Sequence, residues 1–272
     1  MSAGEAAGTA RKDVRLQVFD LVIRFGDRRV VELEALDLSE GEIVGLAGES
    51  GAGKSLTAYA LLGLAGKVGA QVSGSILLEG EQLVGRSETW LRGMRGRRIA
   101  MVFQNPVSAF NPVFRVGDVV RRALRLHGLS RSAAQRRAQE ALSCVLLDPE
   151  LLHRYPHQLS GGQAQRVAIA LALALGTQVL VADEPTSSLD VTVQAEILQL
   201  LRRLRDERSL SVLFISHDLS VLAELCDRVA VMRDGKLVEA GPTRQLLASP
   251  REPYTRELVD AVPVLAVAEG TS

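Results

Sequence analysis

Gly48-Glu49-Ser50-Gly51-Ala52-Gly53-Lys54-Ser55 fits the pattern G-x-x-x-x-G-K-[ST] without exception. Glycines at this spacing let the backbone curl tightly, so that successive N–H groups turn inward and can cradle phosphate oxygens. A helix beginning at Lys54, Ser55 and Leu56 would add the positive end of its dipole. In that setting Lys54 reaches the β- and γ-phosphates of a nucleotide such as ATP, and the Ser55 hydroxyl coordinates Mg²⁺. A glycine-rich turn matching by chance is the plain alternative. The loop's place between an apolar run, Glu42–Ala47, and a helical pattern, Lys54–Leu64, weighs against it.

A second group of residues suits the same chemistry. The apolar run Val179-Leu180-Val181-Ala182 ends in Asp183-Glu184. A buried strand of this kind delivers one carboxylate, Asp183, towards a metal ion. The next, Glu184, is placed to orient or deprotonate an attacking water. Two acids after an apolar run could equally open a helix; the phosphate loop upstream favours the chemical reading.

The elements that must hold these groups follow from periodicity. Strands are expected at Leu16–Ile23, Val30–Leu38, Glu42–Ala47, Ser75–Leu78, Ile99–Phe103, Val179–Ala182 and Ser211–Ile215. Val229–Met232 and Lys236–Glu239 should form a hairpin around Asp234-Gly235. Helical patterns run over Val116–Leu147, from Gly161 to Leu175, over Val191–Arg205 and over Leu219–Leu225. Strands alternating with helices predict an α/β fold with a largely parallel sheet. The helical middle reads as a subdomain inserted into that sheet's chain path.

Composition bounds the rest. The 272 residues are 47% hydrophobic and 24% charged, enough for a sizeable core. Lys+Arg and Asp+Glu are both 32, so no bulk field favours nucleic acid, and none is expected as a partner. Arg95, Arg97 and Arg98 read as a solvated turn before a strand. Cys144 and Cys226 form no C-x-x-C pair and are expected to be buried reduced thiols. Residues 1–13 read as a disordered tail without the apolar stretch of a signal peptide. The longest apolar run, Val167–Leu175, is too short to span about 30 Å of hydrocarbon, so any membrane role is expected through a partner.

Between the two motifs lies Leu159-Ser160-Gly161-Gly162-Gln163, followed by Ala164-Gln165-Arg166. Here the chain resembles the nucleotide-binding subunits of ABC transporters, and the likeness runs from about Val14 to Pro263. The resemblance implies a P-loop NTPase (RecA-like) core over residues 14–262. An N-terminal antiparallel β subdomain, a helical signature subdomain at about 105–175 and a short tail at 263–272 would accompany it. It further implies that Phe25 stacks on adenine, although the family more often has tyrosine there. Gln104 would touch metal and water, and Asp190, in Ser188-Leu189-Asp190, would cross between subunits. His217 would contact the γ-phosphate. Ser160, Gly161, Gly162 and Gln163 would face the γ-phosphate of a second ATP-binding subunit, a paralogue or a copy of this chain, in a head-to-tail dimer. Plain alternatives stand beside these: a core aromatic for Phe25, a surface amide for Gln104, a helix cap for Ser188 to Asp190, and a structural histidine for His217.

Three further stretches resemble the peptide/nickel importer branch. They are Phe103-Gln104-Asn105-Pro106 with Ala109-Phe110-Asn111-Pro112-Val113, then Arg154-Tyr155-Pro156-His157-Gln158, and finally Pro250 to Leu258. The branch implies an ATPase at the cytoplasmic face of the inner membrane, driving import through transmembrane permease subunits. An extracytoplasmic substrate-binding protein would serve it indirectly. Asn105 to Val120 would receive the permease, with Phe110 and Val113 on the contact surface. Many oligopeptide-type members continue into a cysteine-bearing extension that is not seen here, which leaves nickel or a metal chelate open beside peptides. A soluble ABC ATPase in a multiprotein assembly is the competing function, and a non-hydrolysing scaffold subunit a third.

Overall fold

The computed structural model describes residues 14–262; the tails expected at 1–13 and 263–272 lie outside the described residues. The chain opens with two long strands, β1 (Val14–Phe25) and β2 (Arg28–Ser39), then β3 (Ile43–Ala47) and α1 (Lys54–Leu61). β4 (Gln71–Leu78), β5 (Glu81–Gln82), α2 (Glu88–Met94) and β6 (Ile99–Val102) follow. Helices α3 (Pro106–Ala109), α4 (Val116–Leu126), α5 (Arg131–Cys144) and α6 (Gly161–Leu175) separate β6 from β7 (Val179–Asp183). The remainder is α7 (Val191–Arg208), β8 (Ser211–Ile215), α8 (Leu219–Leu225), β9 (Arg228–Arg233), β10 (Lys236–Pro242), α9 (Thr243–Ala248) and α10 (Pro253–Asp260).

One sheet collects all ten strands in the order β5-β4-β1-β2-β10-β9-β3-β8-β7-β6. From β9 to β6 every neighbouring pair is parallel, whereas β1, β2, β4 and β5 pair antiparallel. The five residues of β3, β7 and β8 are all buried, as central parallel strands covered on both faces require. Their alternating side chains feed two cores. Ile43, Ala47, Leu180 and Phe214 join the helices α4 to α8 on one face. Val44, Leu46, Val181 and Ile215 join α1 and the N-terminal strands on the other.

This order places β8 between β3 and β7 and sets β6 beyond β7. The C-terminal ends of four parallel strands therefore share one edge, where the loops that follow them can meet. The expected hairpin also forms: Lys236 pairs with Arg233 across Asp234 (φ 49°) and Gly235 (φ 81°).

Two expectations are corrected. The continuous helical pattern over Val116–Leu147 breaks after Leu126. Gly128 takes φ 96°, a left-handed turn only glycine adopts freely, and the Ser130 hydroxyl caps α5 by accepting from Ala133 N–H at 3.3 Å. The arginines at 95 and 98 are half-buried and paired, not a solvated turn. Arg95 grips the Glu88 carboxylate at 2.9 and 3.2 Å and donates to Leu62 and Gly63 carbonyls at 2.7 and 2.9 Å. Arg98 bridges Glu79, Glu81 and the Leu78 carbonyl at 2.7 to 2.9 Å. Both staple β6 and α2 to the N-terminal strands and α1.

Candidate functional site

The loop between β3 and α1 is shaped by glycines that could be nothing else. At Gly48 (φ 144°) an added Cβ would lie 2.3 Å from the Met232 carbonyl oxygen. At Gly53 (φ 100°) it would lie 2.7 Å from a Val31 methyl. The Ala52 carbonyl accepts from Gly235 N–H at 3.1 Å, so the β9–β10 turn braces the loop. The first N–H groups of α1 have no intrahelical acceptor. Lys54 is buried, and its Nζ donates to the carbonyls of Gly48 and Glu49 at 2.6 and 2.9 Å. Burial lowers its pKa below the usual lysine value, opposed by the negative charges of Glu184, Asp183 and Glu49.

Opposite the loop, Asp183 ends β7 with 9% exposure, and its Oδ1 is buried without a partner. Burial raises its pKa, a hydrogen bond from Ser55 partly offsets that, and the neighbouring Glu184 charge raises it further. A lone buried carboxylate oxygen beside a serine hydroxyl is a donor set that fits Mg²⁺, which takes few protein ligands and completes its shell with phosphate and water.

Glu184 sits at φ 46°, an uncommon left-handed setting for a non-glycine residue, held by its N–H donating to the Ile215 carbonyl at 3.0 Å. That strained turn, between β7 and the end of β8, aims the carboxylate into the cleft. His217 Nδ1 lies 2.9 Å from one carboxylate oxygen, and Gln104 Nε2 donates to the other at 3.3 Å. Ser50, Lys54, Ser55, Gln104, Asp183 and Glu184 thus line a single cleft of about 430 Å³.

The family model described as ABC transporter matches residues 33–187. This chain belongs to the ABC transporter family. It is 44% identical over 261 residues to the probable peptide ABC transporter ATP-binding protein y4tR of Sinorhizobium fredii, covering 93% of this chain and 78% of that one. It is 46% identical over 248 residues to the glutathione import ATP-binding protein GsiA of Salmonella typhimurium, covering 88% of this chain and 40% of that longer one. Among solved structures, the dimeric bacterial ABC transporter cassette MJ0796 aligns with a TM-score of 0.72 at 28% identity, over 84% of this chain and 99% of that one. The same cassette is known in a post-hydrolysis state with ADP and Pi. The chain is an ABC-type ATPase built on the P-loop NTPase fold.

Not every residue singled out in this ABC ATPase reaches the cleft. Phe25 is 40% exposed at the end of β1 and does not line it. Ser160 and Gln163 close a reciprocal cap on α6, with Ser160 Oγ accepting from Gln163 N–H at 3.3 Å and Gln163 Oε1 accepting from Ser160 N–H at 3.1 Å. Gly161 and Gly162 abut the start of α7; a Cβ on Gly162 would lie 2.4 Å from a Val193 methyl. Asp190 caps α7 by accepting from Val193 N–H at 3.0 Å. Both motifs therefore stand together, away from the phosphate loop's cleft.

Two findings amend the sequence reading. Phe110, expected on the partner surface, is 7% exposed and packs in the core; Phe103, Val113 and Phe114 are the exposed apolar residues there. Ser187 joins the site, though its residue type and spacing mark it only weakly. Its hydroxyl accepts from Gln104 Nε2 at 3.0 Å and donates to the Glu184 carbonyl at 3.1 Å, tying both residues together. The only signal for it was its place between Glu184 and Asp190. Cys226 is buried as expected, while Cys144 is half-buried.

Proposed function

We propose that this chain is the ATP-hydrolysing subunit of a peptide importer, bound to permease subunits at the cytoplasmic face of the inner membrane. The observation that carries the hydrolytic part is the Glu184 carboxylate, held on one oxygen by His217 and on the other by Gln104, opposite Lys54. The import of peptides is supported by the likeness to a probable peptide ABC transporter ATP-binding protein, 44% identical, and to a glutathione import ATP-binding protein, 46% identical. Among the described residues no helix is long and apolar enough to cross a membrane, which agrees with a peripheral subunit.

In this mechanism the N–H groups at the start of α1 bind the phosphates, and Lys54 leaves its carbonyl partners to pair with the β- and γ-oxygens. Ser55 and Asp183 would hold Mg²⁺, which would supply charge neutralisation on the phosphates. Glu184 orients water for in-line attack, His217 meets the γ-phosphate, and Gln104 reports nucleotide to the permease. Phe25 stacks on adenine. Ser160, Gly161, Gly162 and Gln163 complete the second chain's site, with Asp190 at the crossing. A head-to-tail dimer accounts for why these residues stand apart from their own cleft.

The test is uptake into vesicles holding this chain with its permease and partner ATPase. ATP-dependent accumulation of a labelled peptide is expected. Accumulation of nickel or a nickel chelate instead would assign the other cargo of the branch. An ATPase that neither binds a permease nor supports uptake of either would place it in a soluble assembly.

A further inference from the structure

The tail stretch Pro250 to Leu258 has no part in the site just described, and it lies beyond the residues matched by the family model. It folds as α10 and the turn before it. Glu239, on β10, fixes that turn: its two carboxylate oxygens accept from the N–H groups of Arg251 and Glu252 at 3.0 and 3.1 Å. Pro253 occupies the first helical turn, where a missing N–H costs nothing. Tyr254 is thereby driven under the phosphate loop, with 4% exposure. The Arg233 guanidinium stacks over its ring at 4.6 Å.

The Tyr254 phenol oxygen accepts a hydrogen bond from Glu49 N–H at 3.1 Å. That N–H belongs to the same peptide unit as the Gly48 carbonyl, which accepts from Lys54 Nζ at 2.6 Å. A peptide unit is planar, so anchoring its N–H fixes the direction of its C=O. One amide plane is thus gripped by a phenol on one side and by the phosphate-binding lysine on the other.

We propose that Tyr254 is a positioning residue for ATP binding, which sets the Gly48–Glu49 peptide plane and through it the resting position of Lys54. The nucleotide site then extends to a helix about 200 residues downstream in sequence, closed by tertiary contact alone. The proposal rests on Lys54 serving ATP in this ATPase. Losing this contact weakens substrate and transition-state binding alike, and so should raise KM with little change in kcat.

The experiment compares the full-length wild type with Tyr254→Phe, which keeps the ring and its stack on Arg233 and removes only the hydroxyl. Fluorescent-ATP binding, steady-state ATPase and thermal melting are measured on each. The expected result is a Kd and KM for ATP raised roughly three- to tenfold, the size of one lost hydrogen bond, with kcat within about twofold and Tm lowered by only about 2–4 °C. Glu239→Gln, which loosens the turn before α10, should shift KM in the same direction by less. Unchanged Kd and KM in both variants would overturn the proposal. A joint fall of kcat, binding and Tm would overturn it too, by making the contact a structural brace. A wild type that binds no ATP would sink the ATPase reading along with it.

Discussion

Two sets of groups are proposed to meet phosphate, and they are built in opposite ways. The set around Lys54 converges within one chain: four parallel strand ends share an edge, buried Lys54 is held by loop carbonyls, and His217 and Gln104 hold Glu184 beside the buried Asp183. The set around Ser160, among the described residues, meets the start of α7 and not the cleft. Its N-terminal donors at α6 are closed into a local cap and lean on the start of α7. A site that demands a buried lysine and a buried carboxylate must be assembled by the fold, because neither tolerates burial without neighbours. A helix N-terminus offers its N–H groups ready-made, so it can sit at the surface and wait for a ligand brought by another chain.

Substitutions can break this contrast, in order of expected effect. Glu184→Gln should reduce steady-state phosphate release about a hundredfold or more, the range for loss of a general base. The same variant with MgATP should elute as a dimer on a sizing column. An active Glu184→Gln enzyme would remove Glu184 from the reaction. Ser160→Ala should lower ATPase roughly 10- to 100-fold, as loss of a bond to a charged phosphate predicts. ATP binding by the isolated monomer should not change. If monomer binding falls equally, the two sets do not divide between chains as proposed.

Asp183→Asn sharpens the first half of the contrast. The native pKa of Asp183 is raised, so the folded chain holds more protons than the unfolded one in the range just above the usual carboxylate value. Stability should therefore fall as pH rises through that range, a slope the Asn variant lacks. At neutral pH the variant should be more stable without nucleotide by about 1 kcal/mol, or roughly 2–4 °C in Tm, and should lose Mg²⁺-dependent binding. A lower Tm would mean the carboxylate is better satisfied than its orphaned oxygen indicates. The smallest effect on chemistry is expected from Val113→Glu with Phe114→Glu. Basal ATPase should stay within about twofold while peptide uptake is lost. Retained uptake would move the permease contact elsewhere.

The sequence read well wherever the signal was local. The glycine spacing from Gly48 to Gly53, the buried runs before Ala47 and Asp183, and the turn at Asp234-Gly235 each encode their backbone within a few residues. It read poorly where the answer lay in another segment. Val116–Leu147 kept helical periodicity across a break that one left-handed glycine and one serine cap decide. Phe110 looked like a surface residue because nothing nearby tells which face of a four-residue helix meets α6. Ser187 and Tyr254 carried no chemical pattern of their own.

By itself, then, the sequence determined the chemistry: a phosphate loop, an acidic strand end, a glutamine, a histidine and a helix-borne signature, because residue type and short spacing set those. Only the tertiary structure decided which of them meet. Strand order put β8 between β3 and β7, brought His217 and Gln104 to opposite oxygens of Glu184, and slid Tyr254 beneath Glu49. Those contacts are hydrogen bonds between residues far apart in the chain, and no local periodicity records a partner that only the closed sheet brings near.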